Sequence, residues 1–521
     1  MSSIDCIVDV DIFSKWLGLQ TKSSKDCLNS KIREWSSDEQ KLNGLSTRFR
    51  RFKQEMKKDP AFFKECNGYF KEIAECEKEL NDLITSDSDL EKESYNELLF
   101  FRPILKPLNF ITCLLTFWSF IRVYLLPGLS FILPFLTLLA PYFVLKLIFN
   151  MPITLSRYMN ILNSMISGNF EQMLNPNIAK SIDISPINFV KQFGIVIVTI
   201  VQGIVQPYWT YKHLKSIDDI VFEKGELVLR FKNLYNKLRT SLGKRGFKFF
   251  KCPLPDIQNE RDGTAYAILE SSYFKIALKY IGSLEVIMCM ANQKDIHHVK
   301  WVKSNKPVFI AKDTFDFQVS KERKTISIDF DKQHALLTGP NKGGKSTVLR
   351  ALSISALLAH TYGCSLGYVT LTPFNEMFVC LKPDDLPGSK SRFEREIEFT
   401  AKTLHVTKPS LIFIDELYHS TNPPDAIRSC QIYCDQLWKK QNIVSVISTH
   451  LFDLVEKAPN TIQKLCCPAT IDKNTIQFSY TLNKGICKVS SVDELLRLNG
   501  LLKRSYIAAE LILKNPSITA E

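Results

Sequence analysis

Apolar positions recur along this chain with two different periods, and the change of period divides it. Over residues 37–99 apolar and charged residues alternate at helical spacing, broken at Asp59-Pro60 and around Ser86-Asp87-Ser88-Asp89. That pattern predicts amphipathic helices with one buried stripe each. The same period returns over about residues 217–242 and 263–292. Past residue 300 short continuous apolar runs take over: Ala335-Leu336-Leu337-Thr338, Ser410-Leu411-Ile412-Phe413-Ile414 and Ile443-Val444-Ser445-Val446-Ile447-Ser448. Such runs suit strands buried on both faces of a parallel sheet. The first is followed by a helical pattern over residues 348–360. The expected architecture is therefore a C-terminal α/β domain joined to a mostly α-helical region.

One stretch fits neither period. Between Leu108 and Leu145 the only charged residue is Arg122. About 20 helical residues, at 1.5 Å each, cross the hydrocarbon of a bilayer. Leu126-Pro127-Gly128 reads as a turn that splits the run into residues 108–126 and 129–148. Trp118 and Tyr124 near one end, Tyr142 and Lys146 near the other, and Arg102, Lys106 and Arg157 outside suit a two-pass transmembrane hairpin with both ends in the cytosol. The alternative is a helical pair buried in the protein's own core or in a dimer interface. A third apolar stretch, residues 193–209, is interrupted by Gln202, Gly203, Gln206 and Pro207. It is read as a buried or interfacial helix, because an odd number of crossings would separate residues 1–100 from the C-terminal domain.

The chemistry lies where the apolar runs end. After the first comes Gly339-Pro340-Asn341-Lys342-Gly343-Gly344-Lys345-Ser346-Thr347, which satisfies the phosphate-loop pattern G-x4-G-K-[ST] between a strand and a helix. The glycines allow backbone N–H groups to face a phosphate chain, and the helix start adds positive potential. Lys345 would reach the β and γ phosphates, with the Ser346 hydroxyl on Mg²⁺. The second run ends in Asp415-Glu416, the place where ligands of open α/β sheets bind. Asp415 would hold Mg²⁺ through water, and Glu416 would polarise the water attacking the γ-phosphate. The third ends in Thr449-His450, which sets a histidine near that phosphate.

These segments resemble the ATPase domain of the MutS family: GPNKGGKST over 339–347, DELYHSTNPPD over 415–425 and STHLFDL over 448–454. Asp384-Asp385-Leu386 and Ser391-Arg392-Phe393-Glu394-Arg395-Glu396 are similar to its S-x-F-x-x-E segment, and Pro307-Val308-Phe309-Ile310-Ala311 to the segment before the loop. The resemblance implies that Phe309 stacks on adenine, that Asn341 meets the γ-phosphate or attacking water, and that His450 acts as a switch. It also implies that Ser391 faces the nucleotide of a second subunit, so that the active unit is a homodimer with composite sites. Tyr418-His419-Ser420 replaces the family's usual Gly-Arg-Gly, and Pro423-Pro424 follows, which alters the loop where subunits meet. Phe63-Lys64-Glu65 and Phe70-Lys71-Glu72 match the letters of the family's mismatch wedge, but helical periodicity accounts for both.

Composition adds setting rather than chemistry. Fourteen cysteines without a C-x-x-C pair read as reduced thiols in an intracellular protein, with no metal cluster or haem. The acidic first twenty or so residues lack the basic flank and apolar core of a signal peptide. A net charge of +13 leaves DNA open as a partner beside an anionic membrane. Lys244, Arg245, Lys248 and Lys251, interleaved with Phe247, Phe249 and Phe250, form one basic cluster, read as a solvated turn in preference to a base-stacking surface.

The division expected is a helical lever and core part over residues 1–100, a membrane hairpin over 101–150, a helical return over 151–300 and the ATPase domain over 301–521. The expected protein is a dimeric, membrane-anchored, MutS-like ATPase using ATP and Mg²⁺, with its ATPase domain in the cytosol. Two alternatives stand beside it: a soluble cytoplasmic or nuclear repair or recombination clamp on DNA, and a nucleotide-gated scaffold with little turnover.

Overall fold

Three carboxylate or hydroxyl side chains open the first helices. Asp9, Thr21 and Asp38 accept backbone N–H bonds at the starts of α1 (Val10–Leu17), α2 (Lys22–Lys31) and α3 (Glu39–Lys58). Helix α3 buries Leu42, Phe49, Phe52 and Met56 along one stripe, and α4 (Pro60–Thr85) begins at the expected break, with proline in its first turn. The computed structural model describes residues 6–85, 95–166, 201–248, 254–319, 324–330, 332–381, 391–472, 475–489 and 496. Two compact units emerge, one of residues 1–74, 241–249 and 278–521, the other of residues 75–240 and 250–277.

The second unit is helical: α5 (Thr112–Phe120), α6 (Leu126–Phe143), α7 (Leu155–Ile166), α8 (Gln206–Lys244) and α9 (Glu260–Leu269), with α10 (Ser272–Asn292) beginning in it. Asp218 on α8 accepts three bonds from the Arg261 guanidinium on α9, which fixes that helix pair. Between α5 and α6 the expected turn at Leu126-Pro127-Gly128 is absent. Residues 121–125 form a π turn in which the Leu126 N–H donates to Ile121, and the helical run continues to Ile148 through a second π turn. The wider turn absorbs both the missing proline donor and the bulk of its ring, so Pro127 begins α6 instead of ending a helix. The apolar run is thus not a hairpin folded at Pro127. By length and composition Cys113–Ile132 is long and apolar enough to cross a membrane. Residues 193–200 of the third apolar stretch lie outside the described residues. Its remainder is helical, a π turn at Val201–Val205 leading into α8.

Among the described residues the first unit carries all the strands. A mixed sheet has the order β2 (Lys300–Trp301), β7 (Tyr368–Leu371), β3 (Phe309–Thr314), β4 (Ile326–Asp329). Two antiparallel pairs join β1 (Ile296–His298) to β6 (Cys364–Leu366) and β12 (Ala469–Asp472) to β13 (Thr475–Phe478). The main sheet runs β14 (Asn483–Lys484), β11 (Gln463–Cys466), β5 (His334–Thr338), β10 (Ile443–Ser448), β9 (Ser410–Ile414), β8 (Glu376–Cys380). All of its neighbours pair in parallel except β14 with β11. Every residue of β5, β9 and β10 is buried, as their continuous apolar sequence requires. Helices α11 (Lys345–Tyr362), α12 (Arg392–Leu404), α13 (Pro423–Leu437) and α14 (Phe452–Lys457) complete the domain.

The N-terminal helices are tied to this unit by specific polar contacts. Glu285 on α10 is fully buried and accepts from the Gln20 and Thr21 N–H groups and from the Thr21 hydroxyl. On α11 the His360 ring stacks on Trp35 at 3.9 Å and is hydrogen-bonded through Nδ1 to the Ser36 carbonyl at 2.7 Å.

Candidate nucleotide site

The order β5, β10, β9 brings three loops side by side, because β10 pairs with both neighbours: Ser448 sits opposite Leu337, and Ile447 opposite Ile414. The phosphate-loop residues, Asp415-Glu416 and Thr449-His450 therefore leave the same edge of one sheet. Their shared position follows from the parallel strands alone.

The loop needs its glycines for different reasons. Gly339 has φ 150° and lies so close to the Cys467 carbonyl that a Cβ would come within 2.9 Å of it; Gly344 has φ 99°. Asn341 and Lys342 form the exposed tip, and Lys342 is held at φ 65°. Pro340 is buried, and its carbonyl accepts from Gly343 at 3.0 Å, closing the turn. Helix α11 starts after Gly344 with no side-chain cap, so its first N–H groups are directed at the loop, an arrangement suited to an anion. Lys345 is buried, its Nζ donating to the carbonyls of Gly339 at 3.0 Å and Pro340 at 3.2 Å. Burial pushes its pKa down, opposed by the charges of Glu416 and Asp415.

Asp415 is gripped from both sides. Ser346 Oγ donates to one carboxylate oxygen and Ser448 Oγ to the other, each at 2.5 Å. Ser448 also accepts the Glu416 N–H at 2.9 Å. A hydroxyl and a carboxylate converging in this way are the hard oxygen ligands that suit Mg²⁺. Glu416 itself has φ 53°, a left-handed conformation that turns its side chain toward His450, whose Nε2 lies 3.3 Å from Oε1. The hydrogen bond to His450 holds the Glu416 carboxyl below its ordinary pKa against partial burial, helped by the charges of His450, His419 and Lys345.

The unusual loop after these acids is anchored inward. Tyr418, also left-handed at φ 55°, is buried; its hydroxyl lies 2.6 Å from Thr400 on α12 and its ring meets Phe393 edge-on at 5.7 Å. Burial pushes its pKa up to about 12. Pro423 and Pro424 occupy the first turn of α13, capped by Asn422, where a missing N–H costs nothing. Ser391 caps α12 in a reciprocal box with Glu394 and is exposed. Asp384-Asp385-Leu386 lies outside the described residues.

Phe309 does not have the place expected of it. It lies on β3, fully buried, with its ring stacked 5.7 Å from Phe330 and 6.2 Å from Phe413. The pairing of β3 with β7 draws it into the core, where no face is left for a base. Beside the loop lies a cavity of about 620 Å³, lined by Gly343, Gly344, Thr347, Val319, Ile326 and Tyr480. Tyr480, partly exposed and at φ 52°, supplies its aromatic wall. It falls after the last recognisable motif, and only its position next to the β12–β13 hairpin brings it to the loop.

The comparison with known families agrees with this geometry over the C-terminal part. Residues 335–513 match the family model of MutS domain V, so the α/β part of the chain is an ATPase domain of the MutS type.

Proposed function

We propose that this chain binds and hydrolyses ATP with Mg²⁺ at the junction of β5, β9 and β10. The observation that carries the reading is Asp415 held between Ser346 and Ser448, with Glu416 turned onto His450. The loop N–H groups and Lys345 would hold the phosphates, and the Ser346 and Asp415 oxygens would hold Mg²⁺. Glu416, its carboxylate stabilised by His450, would orient the attacking water, and His450 would sense the γ-phosphate through Glu416. Tyr480, in place of Phe309, would cover the base. Ser391, exposed at the start of α12, would complete the site of a second copy.

Glu416→Gln tests the chemistry. It should bind a fluorescent ATP analogue as wild type does while hydrolysis falls by orders of magnitude. Equal slow turnover in both proteins would instead favour the nucleotide-gated scaffold.

The same proposal has the chain anchored to a membrane by the apolar helices of its second unit, with the ATPase domain in the cytosol. Of the basic cluster around Phe247, Lys244 and Lys248 are exposed, Lys251, Phe249 and Phe250 lie outside the described residues, and Arg245 and Phe247 are packed against the chain itself. Arg51 lies over the Phe247 ring at 4.6 Å and donates to the Gly246 carbonyl, while Arg245 lies over Phe62 and pairs with Asp59. Phe247 is buried against Phe52. These cations and rings are engaged in the protein's own packing.

A further inference from the structure

Between the acids that follow β9 and the start of α13, two residues with side chains hold the left-handed backbone conformation, Glu416 at φ 53° and Tyr418 at φ 55°. Glycine adopts that region freely; any other residue stays there only where its surroundings enforce it. At Glu416 the conformation has a use, since it turns the carboxylate onto His450 Nε2 at 3.3 Å. The Glu416 N–H is held by Ser448 Oγ at 2.9 Å. Whatever holds the residues after it is therefore part of how the carboxylate is aimed.

Leu417 and Tyr418 are buried in one apolar cluster with Ile414 of β9 and with Cys430 and Cys434 of α13. The Cys430 thiol donates to the Leu417 carbonyl at 3.5 Å. Tyr418 reaches α12 instead. Its ring meets Phe393 edge-on at 5.7 Å, and its hydroxyl lies 2.6 Å from the Thr400 hydroxyl. Phe393 and Thr400 are seven residues apart, two helical turns, so one face of α12 receives both contacts. Thr400 Oγ1 already donates toward the Glu396 and Ile397 carbonyls, each at 2.9 Å. A hydroxyl has one proton, so between these two residues the tyrosine donates and the threonine accepts. Further along the helix, Thr403 is 2.7 Å from the Tyr433 hydroxyl of α13, which fastens α12 to the helix that follows the loop. Three successive residues are thus tied to three different elements: Glu416 to β10, Leu417 to α13 and Tyr418 to α12.

Resting on the hydrolysis proposed above, with Glu416 orienting the water, we infer that Tyr418 is a positioning residue for that reaction. Its hydroxyl, bonded to Thr400, holds the turn that aims Glu416, and it acts through Glu416 rather than on the nucleotide. A glycine at this position takes the same backbone conformation without strain but brings no side chain to α12, which leaves the turn free to open. Misplacing a reacting group by about 1 Å costs on the order of a hundredfold in rate, so a bond two residues away is enough to matter.

Tyr418→Phe keeps the ring against Phe393 and removes only the hydroxyl, and Thr400 retains its carbonyl partners, so the packing is spared. In the full-length chain kcat for ATP should fall roughly tenfold to a hundredfold. Affinity for a fluorescent ATP analogue and the urea unfolding midpoint should stay close to wild type, a split that separates aiming from binding and folding. Placed in Glu416→Gln, the same change should leave the residual rate as it is, because the group it aims is gone. Thr400→Val removes the acceptor and should lower kcat as well, and combining it with Tyr418→Phe should add nothing further, since both remove one bond. Turnover of Tyr418→Phe equal to wild type, a parallel loss of nucleotide affinity, or a further loss in the Glu416→Gln background would overturn the positioning role alone. Equal turnover in wild type and Glu416→Gln would overturn the hydrolysis reading, and this role with it.

Discussion

Ser448 ties the two acids of the site together, since its buried hydroxyl donates to Asp415 and accepts the Glu416 N–H. Replacing it with alanine leaves a buried carboxylate oxygen and a backbone donor unpaired, at about 1–3 kcal/mol. Asp415 is then free to turn from Ser346, so Ser448→Ala should raise the Mg²⁺ concentration for half-maximal ATPase rate roughly tenfold, as about 1.4 kcal/mol implies. Nucleotide affinity without Mg²⁺ should hold; an unchanged Mg²⁺ titration would remove Ser448 from the site. The base pocket separates two aromatic residues in a similar way. Tyr480→Ala should weaken nucleotide binding about tenfold, within the ~1–3 kcal/mol of an aromatic stack. Phe309→Ala should lower unfolding stability by about 3–5 kcal/mol through the cavity it leaves. Fluorescent nucleotide titration and urea unfolding of both variants check this, and a base-site effect confined to Phe309→Ala would restore the role its sequence position suggests. That the phosphate loop, Asp415 and Glu416 leave the same end of one parallel sheet was legible in the sequence, because each lies at the end of an apolar run. The burial of Phe309 and the place of Tyr480 beside the loop were not, because both follow from pairings between distant strands.

Individual elements show the same division between local and distant causes. Continuous apolar runs marked β5, β9 and β10 correctly, since burial on both faces leaves no room for polar alternation. Proline was read as a break at two places, with opposite outcomes. Pro60 opens a new helix after Asp59, whereas Pro127 follows a π turn whose spacing the sequence does not announce. Helix α11, which leaves the phosphate loop, carries a consequence that only its packing reveals. His360 is buried, its Nε2 has no hydrogen-bond partner, and burial pushes its pKa down to about 3. The unfolded chain protonates this residue near its ordinary pKa of about 6.5, so between that pH and about 3 the unfolded state binds more protons. Stability present above pH 6.5 is therefore lost progressively on acidification, at up to about 1.4 kcal/mol per pH unit from this group. His360→Phe keeps a ring against Trp35 and removes the titration. Urea unfolding at pH 7 and pH 5 should show a smaller loss in the variant, and equal losses would mean that His360 is charged in the fold.

At the scale of the molecule, compactness groups residues 1–74 with residues 278–521, a partition that depends on Thr21 meeting Glu285 and Trp35 meeting His360 across most of the chain. No periodicity encodes such contacts. The proposed dimer turns on a residue that the single chain leaves at its surface. Ser391 is exposed at the start of α12, where among the described residues its side chain bonds with Glu394, so the proposed role at a phosphate calls for a second copy. Ser391→Asp keeps the helix cap, since aspartate caps as well as serine, while setting a negative charge where a partner's γ-phosphate would lie. Lys345→Ala disables the phosphate loop of its own chain. Each variant alone should lack ATPase activity. Mixed in equal amounts and allowed to exchange, half of the dimers pair one of each, and each such dimer holds one intact site from the loop of the Ser391→Asp chain and the Ser391 of the other. Activity should then recover to about a quarter of wild type, as closed two-fold pairing requires. A mixture that stays inactive at every ratio, or a Ser391→Asp variant as active as wild type, would place the whole site within one chain.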